Sequence, residues 1–111
     1  MARVGHIVKF DDKAATLRCS GDEDRATQGK RRAALVRAIG SSVHVIVDLS
    51  ELSFADSSLM LDLAMVARRL RARGLSLLLR RPQPQIQTLI ELVGLQRLPG
   101  VILEGSSPAL A

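Results

Sequence analysis

The residues best placed to do chemistry are Asp56, Ser57 and Ser58. They follow the apolar run Val43–Leu49 (VHVIVDL) after a short connector, and they stand just before a long amphipathic stretch. An Asp at such a point accepts hydrogen bonds from the free N–H groups of a first helical turn, and the two serines fall inside that turn. The partial positive charge of a helix N-terminus favours an anion there, so a phosphate esterified to one of these hydroxyls would sit in a stabilising field. On three residues alone, a plain helix cap is the commoner meaning of Asp-Ser-Ser. Other chemistries find few residues, and a Ser-His-Asp arrangement would have only His6 or His44 to serve as its base, neither of them in a loop. His6 and His44 fall in strand-like segments, and with Cys19, the single cysteine, they form no metal-ligating spacing. Neither phosphate-binding glycine pattern nor a Gly-x-Ser-x-Gly elbow occurs. The expectation is a protein that is not an enzyme and uses no cofactor or metal.

Short strands and helix-length segments alternate around these residues. Val4–Phe10 and Ala15–Ser20, joined by the polar turn Asp11-Asp12-Lys13, read as an N-terminal hairpin. Asp22, Glu23 and Asp24 are placed to begin a helix running from about Arg25 to Ile39, with Ala33, Leu35, Val36 and Ile39 on its apolar side and Lys30, Arg31, Arg32 and Arg37 opposite. Val43–Leu49 is β-branched and apolar at nearly every position, as in a strand covered on both faces. Ser50–Ala55 is expected to be a connector. Ser57–Arg73 reads as the strongest helix, with Leu59, Leu63, Val66 and Leu70 at helical spacing and four arginines near its C-terminal end. Leu75–Leu79 is a short strand, Gln85–Val93 a helix stopped by Gly94, and Val101–Leu103 a last strand. The order predicts an α/β fold, a mixed β-sheet of four to five strands with three main helices packed against it. One domain over residues 1–111 is expected, with about 104–111 as a flexible tail.

The 111 residues suffice for one core without staples. A lone cysteine allows no intrachain disulfide, which suits a reducing, cytoplasmic setting. No run approaches the roughly 20 apolar residues that span a bilayer, and Met1–Phe10 does not read as a signal peptide. The formal charge of +5 raises duplex DNA as a partner, but no pair of adjacent helices reads as a helix-turn-helix. With only Phe10 and Phe54 as aromatics, stacking on single strands is disfavoured. The arginines distribute over solvated helix faces and one helix end, where they require no polyanion, so no direct nucleic-acid partner is expected.

The wider pattern VIVDLSELSFADSS, continued by ARRLRARGLSLLLRRPQPQIQTLIELVGL, resembles the STAS domain, the fold of bacterial anti-sigma factor antagonists. The resemblance covers nearly the whole chain. It includes Asp48 and Leu49 closing a strand, Phe54 in the connector, Asp56-Ser57-Ser58, and the segment Pro84–Leu95 with Ile86, Leu89, Ile90, Leu92, Gly94 and Leu95 in place. Ser20–Asp24 is similar to the family's Gly-Glu-Leu-Asp turn, with Asp24 on the Asp position.

The resemblance implies a protein-interaction switch. The unmodified protein binds an anti-sigma factor, often itself a serine kinase, and so frees a sigma factor. The kinase phosphorylates the first serine, which is Ser57 here, and a phosphatase reverses the step. Asp24, Asp56, Ser58, Leu59 and Met60 are the implied partner-binding and switch residues. The chain departs from the family at Leu59, where the family carries Gly. Leu59 either turns into the core with Leu63 and Val66, or faces outward with Met60 as an apolar contact. Phe54 is expected beneath the interface. The alternatives are a STAS scaffold subunit without a phosphate switch, such as one serving a membrane transporter's ATPase, and, less favoured, a basic DNA-binding module.

Overall fold

The computed structural model describes residues 7–23 and 27–104. Asp24 and the tail 105–111 lie outside the described residues, as does the first part of the expected strand Val4–Phe10. Strands β1 (Ile7–Asp11) and β2 (Thr16–Glu23) form the hairpin, with Ile7 opposite Ser20 and Asp11 opposite Thr16. Its turn is held by Asp11, whose carboxylate accepts from the Lys13 N–H at 3.0 Å and from the Ala14 N–H at 3.3 Å. Three strand–helix–strand units follow: α1 (Gln28–Ile39), β3 (Val45–Ala55), α2 (Ser57–Arg71), β4 (Leu77–Arg80), α3 (Pro84–Val93), a 3₁₀ turn (Leu95–Arg97) and β5 (Val101–Leu103).

The sheet has the order β1-β2-β3-β4-β5, antiparallel at β1 and parallel from β2 onward. Parallel neighbours require crossover connections, and each helix supplies one. The expected mixed sheet and three helices are therefore present.

Three readings are corrected. The first concerns the faces of β3. Val45, Val47 and Leu49 are buried while Ile46, Asp48 and Ser50 are partly exposed, so one face of the strand is covered by helices and the other is not. Its apolar run is richer than one covered face demands. The second concerns Ser50–Ala55, which continues β3 as strand. Two register shifts against β2 interrupt the side-chain alternation that would have marked it, yet Glu23 still pairs with Ala55. Asp22 and Glu23 therefore belong to β2 and do not begin a helix. The third concerns the face of α1. Arg31, Ala34, Leu35 and Ala38 are buried at helical spacing, whereas Ala33 and Val36 face solvent, Val36 at 60% exposure. A cation occupies an inward position because its partner lies on another element.

The core is formed by inward residues of the strands and of all three helices. Leu17, Val47, Leu49, Leu63, Val66, Leu70, Leu79 and Ile90 have no exposed surface. At the end of α2, Gly74 adopts φ +78°, the left-handed conformation that closes a helix and that L side chains resist. The Leu75 N–H then returns to the Leu70 carbonyl at 2.9 Å, directing the chain into β4.

Candidate functional site

The end of β3 delivers the chain to α2 through Asp56, which is extended at φ −112°, ψ −175°. Its carboxylate accepts from the Ser58 N–H at 2.8 Å and from the Ser58 hydroxyl at 2.5 Å. Asp56 thus caps the helix as its residue type and position predict. The cap also gives the two serines opposite fates. Ser57 is exposed on the first residue of α2, while Ser58 is buried.

Ser58 is committed in both of its roles. Its hydroxyl donates to Asp56 and accepts from the Arg31 guanidinium at 3.1 Å. Arg31 is only 1% exposed, and its Nε lies 2.8 Å from the Asp62 carboxylate. Its other guanidinium arm reaches the Thr27 hydroxyl at 3.4 Å, and Gln28 approaches the second Asp62 oxygen at 3.5 Å. A polar chain Asp56–Ser58–Arg31–Asp62 therefore joins α1 to the first two turns of α2. Buried ionic groups are tolerated only when paired and hydrogen-bonded, and each member of this chain has such partners. Sequence reasoning missed Arg31 and Asp62, which lie 31 residues apart in the chain. The one available signal was a cation in register with Ala34, Leu35 and Ala38.

Beside Ser57 a cleft of about 270 Å³ opens between α2 and the end of α3. Met60, Leu61 and Ala64 line one wall, and Val93, Leu95 and Leu98 line the other, with Arg68 at the far end. Leu61 is 69% exposed.

Of the residues implied as partner contacts, the structure brings Ser57, Asp56, Ser58 and Met60 to this end of α2 and leaves Asp24 outside the described residues. Leu59 takes the inward of its two expected directions, which corrects its implied role as a partner contact: it is fully buried among the core side chains and offers no outward contact. The buried Leu59 leaves the surface beside Ser57 clear, since its added bulk is directed inward. Met60 is also buried, and reaches the surface only as a lining residue of the cleft. The exposed apolar contact is Leu61, one residue further along. Phe54 is likewise corrected: it is 51% exposed on the uneven far half of β3 and does not underlie the site.

Asp48 lies on the uncovered sheet face, away from α2. Burial opposes its charge, but the Ser50 N–H and hydroxyl, at 3.0 and 2.7 Å, together with the Arg81 and Arg18 guanidinium groups, hold its carboxyl below the usual range. Among the described residues no cluster of His, Cys, Asp and Glu suits a metal ion, and no helix is long and apolar enough to cross a membrane.

The profile of a family described as "Mlab, STAS domain" matches residues 6–104. No curated protein matches the sequence significantly. Among solved structures, the anti-sigma factor antagonist SpoIIAA in its unphosphorylated form superposes with a TM-score of 0.62 at 25% identity, covering 86% of this chain and 83% of that one. The Bacillus cell fate determinant SpoIIAA in its phosphorylated form gives 0.54 at 24% identity, with 86% of each chain covered. A Thermotoga maritima protein described as a candidate anti-sigma factor antagonist gives 0.63 at 13% identity, covering 95% of this chain and 91% of that one. The last two likenesses show a shared fold. The chain belongs to the STAS domain family.

Proposed function

We propose that this STAS chain is an anti-sigma factor antagonist, active when Ser57 is unmodified and switched off by its phosphorylation. The observation that carries the reading is the division of labour at the start of α2. Ser57 is exposed beside an apolar cleft, and the neighbouring Ser58 is buried and hydrogen-bonded on both sides. A serine kinase acting as the anti-sigma partner therefore meets one hydroxyl. The likeness to SpoIIAA, a protein known in unphosphorylated and phosphorylated forms, supports the same reading.

The physical basis of release is local. Phosphorylation adds about −1.5 to −2 charges at neutral pH. The new charge lies close to Asp56 and to a cleft whose near walls are apolar, so a partner that covers the cleft must desolvate it. In the free protein the helix N-terminus and water soften that cost. The complex loses more than the free form, and it dissociates. A phosphatase that removes the ester restores binding, and both reactions belong to a bacterial cytoplasm.

The test is a pull-down of the chain with its anti-sigma partner. Ser57→Ala retains the complex and Ser57→Asp loses it; equal binding by the two variants overturns the switch. A second reading is favoured by the family description, which names Mlab: a STAS subunit held in a lasting complex with another protein, such as a transporter's ATPase. That reading predicts stable binding with no phosphate on the chain, and intact mass after incubation with the partner and ATP separates the two.

A further inference from the structure

A second groove runs along the other side of α2, between it and α1, with a volume of about 460 Å³. Its floor and walls include Leu35, Val36, Ile39 and Met65, and its rims carry Arg32 from α1 and Arg69 from α2. Val36 is 60% exposed and Met65 is 38% exposed. Isolated exposed apolar residues are ordinary, but here they line one groove from both sides. Neither rim arginine forms an ion pair among the described residues. The one acid that lines the groove, Asp62, already faces the buried Arg31 at 2.8 Å.

We infer that the groove between α1 and α2 is a docking surface for an acidic amphipathic helix of a protein partner. A groove between two helices accepts the side-chain ridge of a third, and apolar residues at helical spacing would fill its floor. Arginines on opposite walls match carboxylates placed on both flanks of that apolar stripe, and the planar guanidinium suits such pairing. The 12 residues of α1 fix the length of the occupant at roughly three turns, since a helix rises about 1.5 Å per residue. A second copy of this chain is a poor occupant, because a two-fold contact would set arginine rims against each other. The surface is separate from Ser57 and does not depend on its modification.

The test uses the full chain and a helix-stapled peptide of three to four turns, with leucines on one stripe and glutamates on both flanks. Methyl NMR of the protein reports the contact. The peptide shifts the signals of Leu35, Val36, Ile39 and Met65, and Arg32→Glu/Arg69→Glu weakens its binding by about tenfold or more. Both arginines are exposed, so the fold persists in that variant, and circular dichroism verifies it. Val36→Gln/Met65→Gln tests the floor separately and weakens binding without changing the charge. The inference is overturned by shifts elsewhere, by no binding at millimolar peptide, or by equal binding of a peptide with lysines in place of glutamates. Insertion into phosphatidylglycerol vesicles through this groove, or dimerisation through it in sedimentation runs, also overturns it. No anti-sigma partner or phosphate enters the experiment, so its outcome stands whichever way the tests at Ser57 fall.

Discussion

Ser57 and Ser58 are neighbours with the same side chain, yet the first turn of α2 leaves one in solvent and buries the other. The outward side carries Ser57, Leu61 and Met65 between two grooves. The inward side carries Ser58, Leu59 and Leu63, packed on the core and tied to α1 through Arg31. Changes on the inward side act on stability, because their groups have already exchanged water for protein partners. Under the proposed function, changes on the outward side are expected to act on recognition, because their groups still face solvent and are open to a partner. The helix thus presents a reactive surface on a rigid support.

The largest effect that tests this contrast is loss of Arg31. Arg31→Ala leaves Asp62 and Ser58 without their shared partner and is expected to cost about 3 kcal/mol or more, by analogy with other broken buried pairs. In thermal unfolding that corresponds to a fall of roughly 12 °C or more for a domain of this size. Arg31→Leu/Asp62→Leu, which removes both charges together, recovers most of the loss. If Arg31→Ala unfolds at the wild-type temperature, the inward side is not the support described.

Next comes the pair Leu59 and Leu61. Leu59→Ala opens a cavity in the core and costs about 2–5 kcal/mol. Leu61→Ala stays within about 0.5 kcal/mol of wild type in denaturant unfolding. The ranking inverts for partner binding, where Leu61→Ala is expected to weaken the complex by about tenfold through loss of an exposed apolar contact. Equal stability losses for the two variants would contradict the contrast between the sides.

Asp56→Ala is smaller, about 1 kcal/mol for a lost cap. Ser58 then loses the acceptor of its hydroxyl, and amide hydrogen exchange at the first turn of α2 is expected to quicken. The smallest effect lies on the uncovered sheet face. Because the folded-state pKa of Asp48 is lowered from 3.8, its carboxylate contributes stability above that pH, and the contribution disappears as pH falls through the lowered value. Asp48→Asn flattens that part of the acid limb in a pH series of unfolding midpoints and leaves the behaviour of α2 unchanged.

Much of this arrangement is legible in the residues themselves. Asp-Ser-Ser before a periodic apolar stretch marks the cap and the start of α2 to the residue, because both are local. The strands and helices follow from local periodicity and from Gly74 and Gly94 as stops. Three features were hidden because they depend on distant partners. Ser50–Ala55 pairs with β2 across two register shifts, which erase the alternation a strand shows in sequence. Arg31 reads as a surface cation until Asp62 and Ser58 are brought against it. The exposure of Phe54 depends on the phase of a bulged strand, which residue type alone does not set.

The central claim, that Ser57 is the switch and Ser58 its buried support, is tested most directly by locating the phosphate. The chain is incubated with its anti-sigma kinase and ATP, free and bound fractions are separated, and the modified residue is mapped by tandem mass spectrometry. Phosphate is expected on Ser57 alone, confined to the released fraction. Phosphate on Ser58, or a Ser57-phosphorylated chain still bound to its partner, would contradict the claim.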